Sequence, residues 1–513
     1  MLRSTVNVRA PQWFRAAAPA LIAFSLLGWS RHASAGGPLT SNGSQIQTSE
    51  YAIDMFHGPV FAGSRVTGLG GSYVAIAEDV DGDLQNPAAP AVRPFFSTSH
   101  FDYWLGFGLT FPATLSNMDF FNSGSKTNLA NPPDSFVFLT PALNLQWGEL
   151  GVGLNVELQQ YALTHSDAGT GRRSAVRVTI PTTHLQFAHG IEHNQLVLGV
   201  GARLVSMSLH DGDGPASFSS TGSGLEFGMV YKPENRPIRL GLAFRTQVET
   251  QANYTSGLLP NENGDIVITD PANPNNTVYL PKNVASPWDL NFGFAVQFGK
   301  RPLNPPWRSD TTLNEEESLQ HRLRQIARER ERDDALRAAR TQAQRETIRR
   351  DAARAQAADD AHLARSLKDA QQRIGNSLIY MNRRYLQVSA SLLLSGAVEQ
   401  AVGVESMVAQ TVNRSGQHVV LSPRLGVEAG VIPSLLKLRA GTYIEPTRFD
   451  GSTARGHLTA GLDLKLAVWN VFGLWPDDYM WRLGLGADVA SRYATWGITI
   501  AGWYPRKTDL PRD

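Results

Sequence analysis

The sequence predicts an all-β fold: an antiparallel transmembrane β-barrel of about fourteen strands, with an N-terminal hatch and a helical, coiled-coil-like periplasmic insertion. Three observations predict it. Apolar side chains occupy every second position through most of the chain from Phe95 onward, which is the periodicity of a strand. The connections between those segments alternate between short and long, as periplasmic turns and extracellular loops do in outer-membrane barrels. The chain also opens with an export signal.

Taken in order, Arg3, Arg9 and Arg15 precede an apolar run from Ala16 to Leu27, and Ala33-Ser34-Ala35 supplies a small-residue cleavage pattern. Residues 1–35 therefore read as a secretory signal peptide. The run is shorter than the roughly 20 apolar residues of a spanning helix and is broken by Pro19, which disfavours a membrane anchor. No later stretch is long and apolar enough for an inner-membrane helix. With no cysteine, the exported chain has neither disulfides nor thiolate-bound metal to hold it together. Lys+Arg 47 against Asp+Glu 46 leaves a net charge of +1, so the basic footprint of a nucleic-acid-binding protein is absent.

Residues 36–94 form the expected hatch. Their densest segment runs Gly68-Leu69-Gly70-Gly71-Ser72-Tyr73-Val74-Ala75-Ile76-Ala77-Glu78-Asp79 and on through Asp81, Asp83 and Asn86-Pro87-Ala88-Ala89. Alternate acids begin a calcium loop, yet Gly82 precedes the third acid and Pro90 stands where the bidentate Glu belongs. A phosphate cradle fails as well, because the glycine spacing is incomplete and no Lys-Ser/Thr follows. What remains is a tightly turning backbone, a short apolar patch at Val74 and Ile76, and a turn initiator at Asn86-Pro87.

With Arg65 ahead of it, this stretch resembles the N-terminal hatch signature of the FadL-like and PorV-like outer-membrane proteins, at the same place just before the first barrel strand. Glu78 stands where the first acid of the usual Asp-Asp pair would be, and Ala89 where a glycine usually follows Asn-Pro-Ala. The matching motif residues are Arg65, Gly68, Gly70, Gly71, Glu78, Asp79, Asn86 and Pro87. The resemblance implies a fourteen-stranded barrel plugged by this small domain. It implies either passive uptake of small hydrophobic molecules or, in the PorV-like manner, a non-enzymatic scaffold for protein secretion or envelope organisation.

Barrel strands 1–8 are expected within 95–299 and strands 9–14 within 385–504, with a short tail at 505–513. Leu150, Val152, Leu154, Val156 and Leu158 share one face, opposite Gly151, Gly153, Asn155, Glu157 and Gln159. Leu290, Phe292, Phe294, Val296 and Phe298 repeat the pattern. A soluble sheet also alternates, with its apolar face inward. The long strands, the Gly- and charge-rich polar faces and the turn asymmetry favour a barrel with lipid outside. Aromatics near strand ends, Phe101, Tyr103, Trp147, Trp288, Trp481, Trp496 and Tyr504, fit interfacial girdles. An even strand count puts both barrel ends on the periplasmic side, so the segment before Phe95 is expected to start below the barrel and enter the lumen as a plug.

The inward face carries Arg203, Arg239, Arg245, Arg424, Lys437, Arg439 and Arg482, expected partners for the hatch acids Glu78, Asp79, Asp81 and Asp83. Tyr51, Ile53, Met55, Phe56, Val60 and Phe61 are candidates for a hydrophobic pocket, and equally for ordinary plug packing. In 174–189 the apolar parity changes, from Val176, Val178 and Ile180 to Leu185 and Phe187, with Pro181 at the break. A parity change implies a bulge. In the FadL-like family a kinked strand opens the wall laterally, which makes Pro181, Thr182 and Thr183 the candidate lateral gate.

Residues 300–384 interrupt the barrel pattern with a Gly- and Pro-free segment from Arg308 to Ile374 that reads as helix. Leu319, Leu323 and Ile326, then Leu363, Leu367, Ala370 and Ile374, recur at four-three spacing and predict a thin apolar seam. Because neighbouring strands lie about 5 Å apart, the insertion is expected to be a hairpin reversing between Arg332 and Asp360 and reaching roughly 45 Å into the periplasm. A periplasmic protein or peptidoglycan is its expected partner, through 313–374, alongside outer-membrane lipids around the barrel. Serines, histidines and acids fall in no recognisable catalytic, cofactor or metal motif.

Overall fold

The computed structural model describes residues 39–503 except 57, 94–99, 114–117, 125–135, 167–172, 212–215, 255–257, 271–272, 306, 308–309, 380–382, 451, 471–472 and 474–478. The expected signal peptide, Tyr504 and the C-terminal tail lie outside the described residues.

Fourteen antiparallel strands form one closed barrel. They are β1 (Phe101–Pro112), β2 (Val137–Trp147), β3 (Leu150–Ser166), β4 (Arg173–Ile191), β5 (Leu196–Asp211), β6 (Ala216–Tyr231), β7 (Ile238–Arg245) and β8 (Asp289–Phe298). After an insertion come β9 (Leu386–Ser395), β10 (Val420–Ile432), β11 (Leu436–Glu445), β12 (Arg455–Val468), β13 (Met480–Ala490) and β14 (Tyr493–Gly502). Each pairs with its chain neighbours, and β1 closes on β14 from Gly106↔Ala501 to Pro112↔Thr495. Closure leaves no unpaired edge, which is what lets strands cross hydrocarbon.

The direction of the alternation decides between lipid and water outside. Phe292, Phe294 and Phe298 of β8 are 50%, 44% and 56% exposed, whereas Asn291 and Gln297 of the opposite parity are buried. Apolar residues outside and polar residues inside reverse the order of a soluble sheet. Phe101, Trp147 and Trp496 also face outward near strand ends, as a girdle requires, whereas Trp481 is buried. The connections 148–149, 192–195, 232–237 and 433–435 mark one rim, and the long ones, 113–136, 246–288 and 396–419, mark the other.

The N-terminal segment does not start at the short-turn rim as the strand count led one to expect. Leu39 to Tyr51 lie among the long loops, where Leu39 and Ala52 each donate a backbone N–H to Gln400 and Gly43 donates to the Val412 carbonyl. Ala52–Asp54 then forms the centre of a five-stranded sheet with Arg414–Ser415, Ala401–Val402, Asn283–Ser286 and Val248–Gln251. From there the chain descends through the lumen by two short helices, α1 (Ser64–Gly68) and α2 (Asp79–Asp83), and a turn at Ala89–Ala91. It reaches the other rim at Arg93, which donates to the Gly148 and His100 carbonyls. The hatch thus enters from the long-loop end, because its first strand completes a sheet built from two of those loops.

Glycine on the inward face makes room for this descent. A side chain at Gly199 would overlap the Pro87 carbonyl, and one at Gly241 the Val74 carbonyl. The Gly-rich polar face of the strands is thus the imprint of a backbone lying against it.

The expected bulge at Pro181 is absent. β4 keeps one register with β3 from Leu150↔His189 to Ser166↔Arg173, and the same register with β5 on both sides of Pro181. Val178, Ile180, His184, Gln186 and Ala188 are all buried in the lumen, while Leu185 and Phe187 face outward. The strand never changes face; the lumen changes character along it. Val178 and Ile180 belong to an apolar cluster with Leu163, Val205, Met207 and Leu209 that fills the long-loop half of the barrel. The bulge is therefore not what would open a lateral gate at Pro181–Thr183: Pro181 stays paired with Leu158 of β3, while the ladder with β5 skips Ile180 and Pro181 and resumes at Thr182↔Val205.

The insertion is two helices, α3 (Asp310–Ala338) and α4 (Gln342–Ile379), leaving from the short-turn rim between β8 and β9. Thr341 starts α4 with a capping box: Gln344 N–H donates to the Thr341 hydroxyl, and the Gln344 side chain accepts from the Thr341 N–H. The seam differs from the expected apolar one. Arg328 meets Asp359 at 3.0 Å and His321 meets Asp360 at 3.0 Å. Leu363 and Leu367 are half-buried and Ala370 buried, but Leu319, Leu323 and Ile326 of α3 point away from α4, 55%, 54% and 47% exposed.

Filling one inward glycine tests the close approach of hatch and wall. Gly241→Leu is expected to displace the hatch backbone at Val74 at a cost of roughly 1–3 kcal/mol, seen as conductance steps in planar bilayers that the wild type lacks. Unaltered conductance in a folded, heat-modifiable variant would refute the contact.

Candidate functional site

The site builds from the hatch outward. Gly70 and Gly71, at φ +60° and +74°, turn the chain sharply after α1, and a side chain at Gly68 would press on the Gly461 backbone. This turn sets Arg65 of α1 against the wall. Its Nε and Nη2 donate to both oxygens of Glu428 on β10 at 2.9 and 3.0 Å. The same guanidinium donates to Glu78 at 3.1 Å and Asp79 at 3.5 Å, and lies 5.2 Å from the Tyr73 ring centroid.

From Arg65 the charges alternate in both directions. Glu78 also accepts from Arg239 of β7 at 2.8 Å. Glu428 accepts from Arg439 of β11 and from the Tyr385 hydroxyl at 2.6 Å. Arg439 forks onto Asp463 of β12, which also accepts from Arg482 of β13 at 2.8 Å. Arg482 returns to the hatch at Asp81. The line Arg239, Glu78, Arg65, Glu428, Arg439, Asp463, Arg482, Asp81 crosses from wall to hatch three times.

Asn86 anchors the lower hatch. Its side-chain amide donates to the Val74 carbonyl at 2.8 Å and the Met229 carbonyl at 3.0 Å, and its oxygen accepts the Ala88 N–H. Pro87 then lies against the Gly199 position. Asp83 meets Asn144 at 3.2 Å rather than a cation.

The remaining inward cations do not meet hatch acids as expected. Arg203 donates to the Thr246 and Pro287 carbonyls, and Arg424 to the Gly71 carbonyl at 3.4 Å. Arg245 pairs with Asp289 and Glu226 and donates to the Leu84 carbonyl. Lys437 lies 4.6 Å over the Trp503 ring. Glu428, Asp463 and Glu226, which hold the wall's half of the network, were missed. Glu428 shares strand parity with Arg424 and Asp463 with Arg455, so for these two the signal was present in the charge of the inward face; the strand of Glu226 carries no arginine.

In the upper part of the hatch, Phe61 packs among Phe120, Phe136 and Phe138 with centroids 5.2–5.7 Å away. Tyr51, Ile53 and Met55 belong to the same cluster. Loop residues Asp119 and Phe120 are tied down by Arg455, which donates to both of their carbonyls. Arg455 also pairs with Glu445, which His457 bridges to Asp488 through two 2.8 Å hydrogen bonds. The Tyr443 hydroxyl donates to Asp488 and accepts the Val60 N–H of the hatch.

Between the two tiers lies a cavity of about 200 Å³. Met55, Phe56, Val60 and Phe61 line its roof, and Thr182, His184, Arg203, Arg245, Asp289 and Arg424 its sides. Among the described residues no three His, Asp or Glu side chains are grouped to hold a metal ion.

At the long-loop rim, Glu405 lies in the first turn of the short helix α5 (Val404–Ala409). Burial pushes its carboxyl up to about 7; a hydrogen bond with Ser123 opposes the shift and the Asp119 carboxylate adds to it.

No family model matches the chain, and no curated protein matches it. Among solved structures it is similar to the CymD monoaromatic hydrocarbon channel, with a TM-score of 0.45 and 9% identity over 87% of this chain and 97% of that one. It is similar to the Pseudomonas putida toluene transporter TodX, at 0.45 and 10% over 86% and 97%. A Pseudomonas aeruginosa FadL homologue gives 0.40 and 12% over 90% and 98%.

Two outcomes follow from these contacts. Arg65→Met leaves Glu428 and Glu78 each with one arginine and is expected to weaken hatch docking by roughly 3–5 kcal/mol, read as protease cleavage of the hatch at lower urea than in wild type. Because folding raises the Glu405 carboxyl, α5 is held best in acid; its stability falls as pH rises from the unfolded value of 4.5 to about 7. Protection factors across 404–409, meaning exchange rates corrected for the base-catalysed intrinsic rate, should therefore fall over that window in wild type and stay level in Glu405→Gln.

Proposed function

We propose that this chain is an outer-membrane channel for passive uptake of small hydrophobic molecules, with the hatch as luminal plug and the helical hairpin in the periplasm. The observation that carries this reading is the cavity of about 200 Å³ held between the hatch and the apolar tier, inside a barrel whose strands turn apolar side chains outward. Its lining sets the apolar Met55, Phe56, Val60, Phe61 and Phe138 beside a larger polar surface, and concave sites of this kind are where small ligands bind. The apolar tier supplies a medium into which an apolar solute partitions from water, and the hatch stands between it and the far rim. The reading needs neither a catalytic group nor a cofactor.

One observation favours a second reading, a non-enzymatic scaffold in secretion or envelope organisation. Leu319, Leu323 and Ile326 form an apolar stripe on α3 that its partner helix leaves uncovered, a place for a periplasmic protein or peptidoglycan to dock through 313–374.

Uptake of radiolabelled toluene by cells with and without the protein separates the two. A several-fold faster uptake that survives deletion of 313–374 is the expected result. No difference in uptake, together with a protein partner that co-purifies only when 313–374 is present, would move the assignment to the scaffold.

A further inference from the structure

The charges around the luminal cavity do not balance by pairing. Asp289 pairs with Arg245 at 3.2 Å and Glu157 with His184 at 3.4 Å. Glu226, behind them, is shared by His184 at 2.7 Å and Arg245 at 3.3 Å. Every wall carboxylate here is therefore engaged. Arg203 and Arg424 face the same cavity, are 7% and 9% exposed, and have no carboxylate within 4.0 Å among the described residues. The Nε of each has no hydrogen-bond partner among those residues. A buried guanidinium without an anion is costly, so two at one cavity mark a place where an anion arrives from outside the chain.

The rest of the lining limits what that anion is. Phe56, Phe61 and Phe138 line it, with Met55 beside them, side chains suited to packing against an aromatic ring. A cavity of roughly 150 Å³ lined by apolar side chains takes up benzene. The space here, about 200 Å³, holds such a ring and a carboxylate. A neutral hydrocarbon of the same size would leave both arginines without a carboxylate in direct contact.

The geometry points to a binding site for a compact aromatic carboxylate, its ring among Phe56, Phe61 and Phe138 and its charge toward Arg203 and Arg424. This rests on the uptake reading for its physiological direction, but the binding itself stands apart from transport. It gives two side chains the task of distinguishing an aromatic acid from the parent hydrocarbon.

Calorimetric titration of the full-length protein in lipid nanodiscs at pH 7.5, with benzoate, benzyl alcohol, toluene and decanoate in parallel, tests it. Benzoate is expected to bind at least tenfold tighter than benzyl alcohol. Arg203→Met and Arg424→Met should each abolish that preference while leaving toluene binding unchanged or stronger. Heat-modifiable migration on gels reports whether each barrel is folded, and Arg424→Gln, which keeps a donor but not the charge, replaces any Met variant that is not. Equal affinity for benzoate and benzyl alcohol, tighter binding of decanoate than of benzoate, or an undiminished preference in folded variants would overturn the assignment. Toluene uptake by cells, scored separately, tells a failure of this site from a failure of the uptake reading: uptake without benzoate binding removes only the site.

Discussion

The structure depends on a run of eight buried charges that alternates in sign between hatch and wall. Taking such ions out of water costs several kcal/mol each, and their mutual attraction does little more than offset that cost. The network therefore adds little to overall stability and a great deal to position. Arg65 meets Glu428 only if α1 lies at one height and one rotation in the lumen. Arg482 reaches Asp81 only if α2 does the same. Displacing the hatch by a single residue would leave several unpaired ions in a low-dielectric interior. The glycines on the wall and the tight turn at Gly70-Gly71 serve this fit, since they let the backbones approach closely enough for the ions to meet.

The barrel was legible because period-2 alternation and turn asymmetry are local. Each strand declares its two faces, and closure follows from having nowhere to leave an edge. Glu428 and Asp463 were overlooked because a lone acid on a strand resembles any solvated residue until its partner across the lumen is known. At Pro181 a sound rule was applied to the wrong variable. Alternation tracks which face is apolar, and in this lumen the inner face turns apolar in the upper half, so the pattern inverts while the strand runs straight. The seam of the insertion was misread because Leu319, Leu323 and Ile326 have helical spacing, which says that they share a face but not which neighbour that face meets. The entry point of the hatch was out of reach of local pattern altogether, since it rests on Ala52–Asp54 pairing with segments more than two hundred residues away.

The division of the lumen into tiers has a chemical logic. The lower tier is held by directional charge contacts and fixes a position; the upper tier is held by aromatic and aliphatic packing and tolerates rearrangement. A single buried line joins them: the Phe120 carbonyl, Arg455, Glu445, His457, Asp488, Tyr443 and the Val60 N–H. The loop at the mouth and the top of the hatch thus share one set of hydrogen bonds, so each is sensed at the other across a fully buried imidazole.

The path of the N-terminal segment constrains how the molecule is made. The chain enters the barrel at the long-loop rim, runs its full height and leaves at the opposite rim into β1, and the ring is sealed by β1 joining β14, the last strand in the sequence. The hatch is an axle running through a hoop made from its own continuation. A ring that sealed while empty would have to draw the axle through afterwards, past glycine-lined walls with no clearance for side chains. The economical order is for the wall to wrap around a hatch already in place, with the eight charges pairing as the strands arrive. The plug is then the mould on which the barrel is cast.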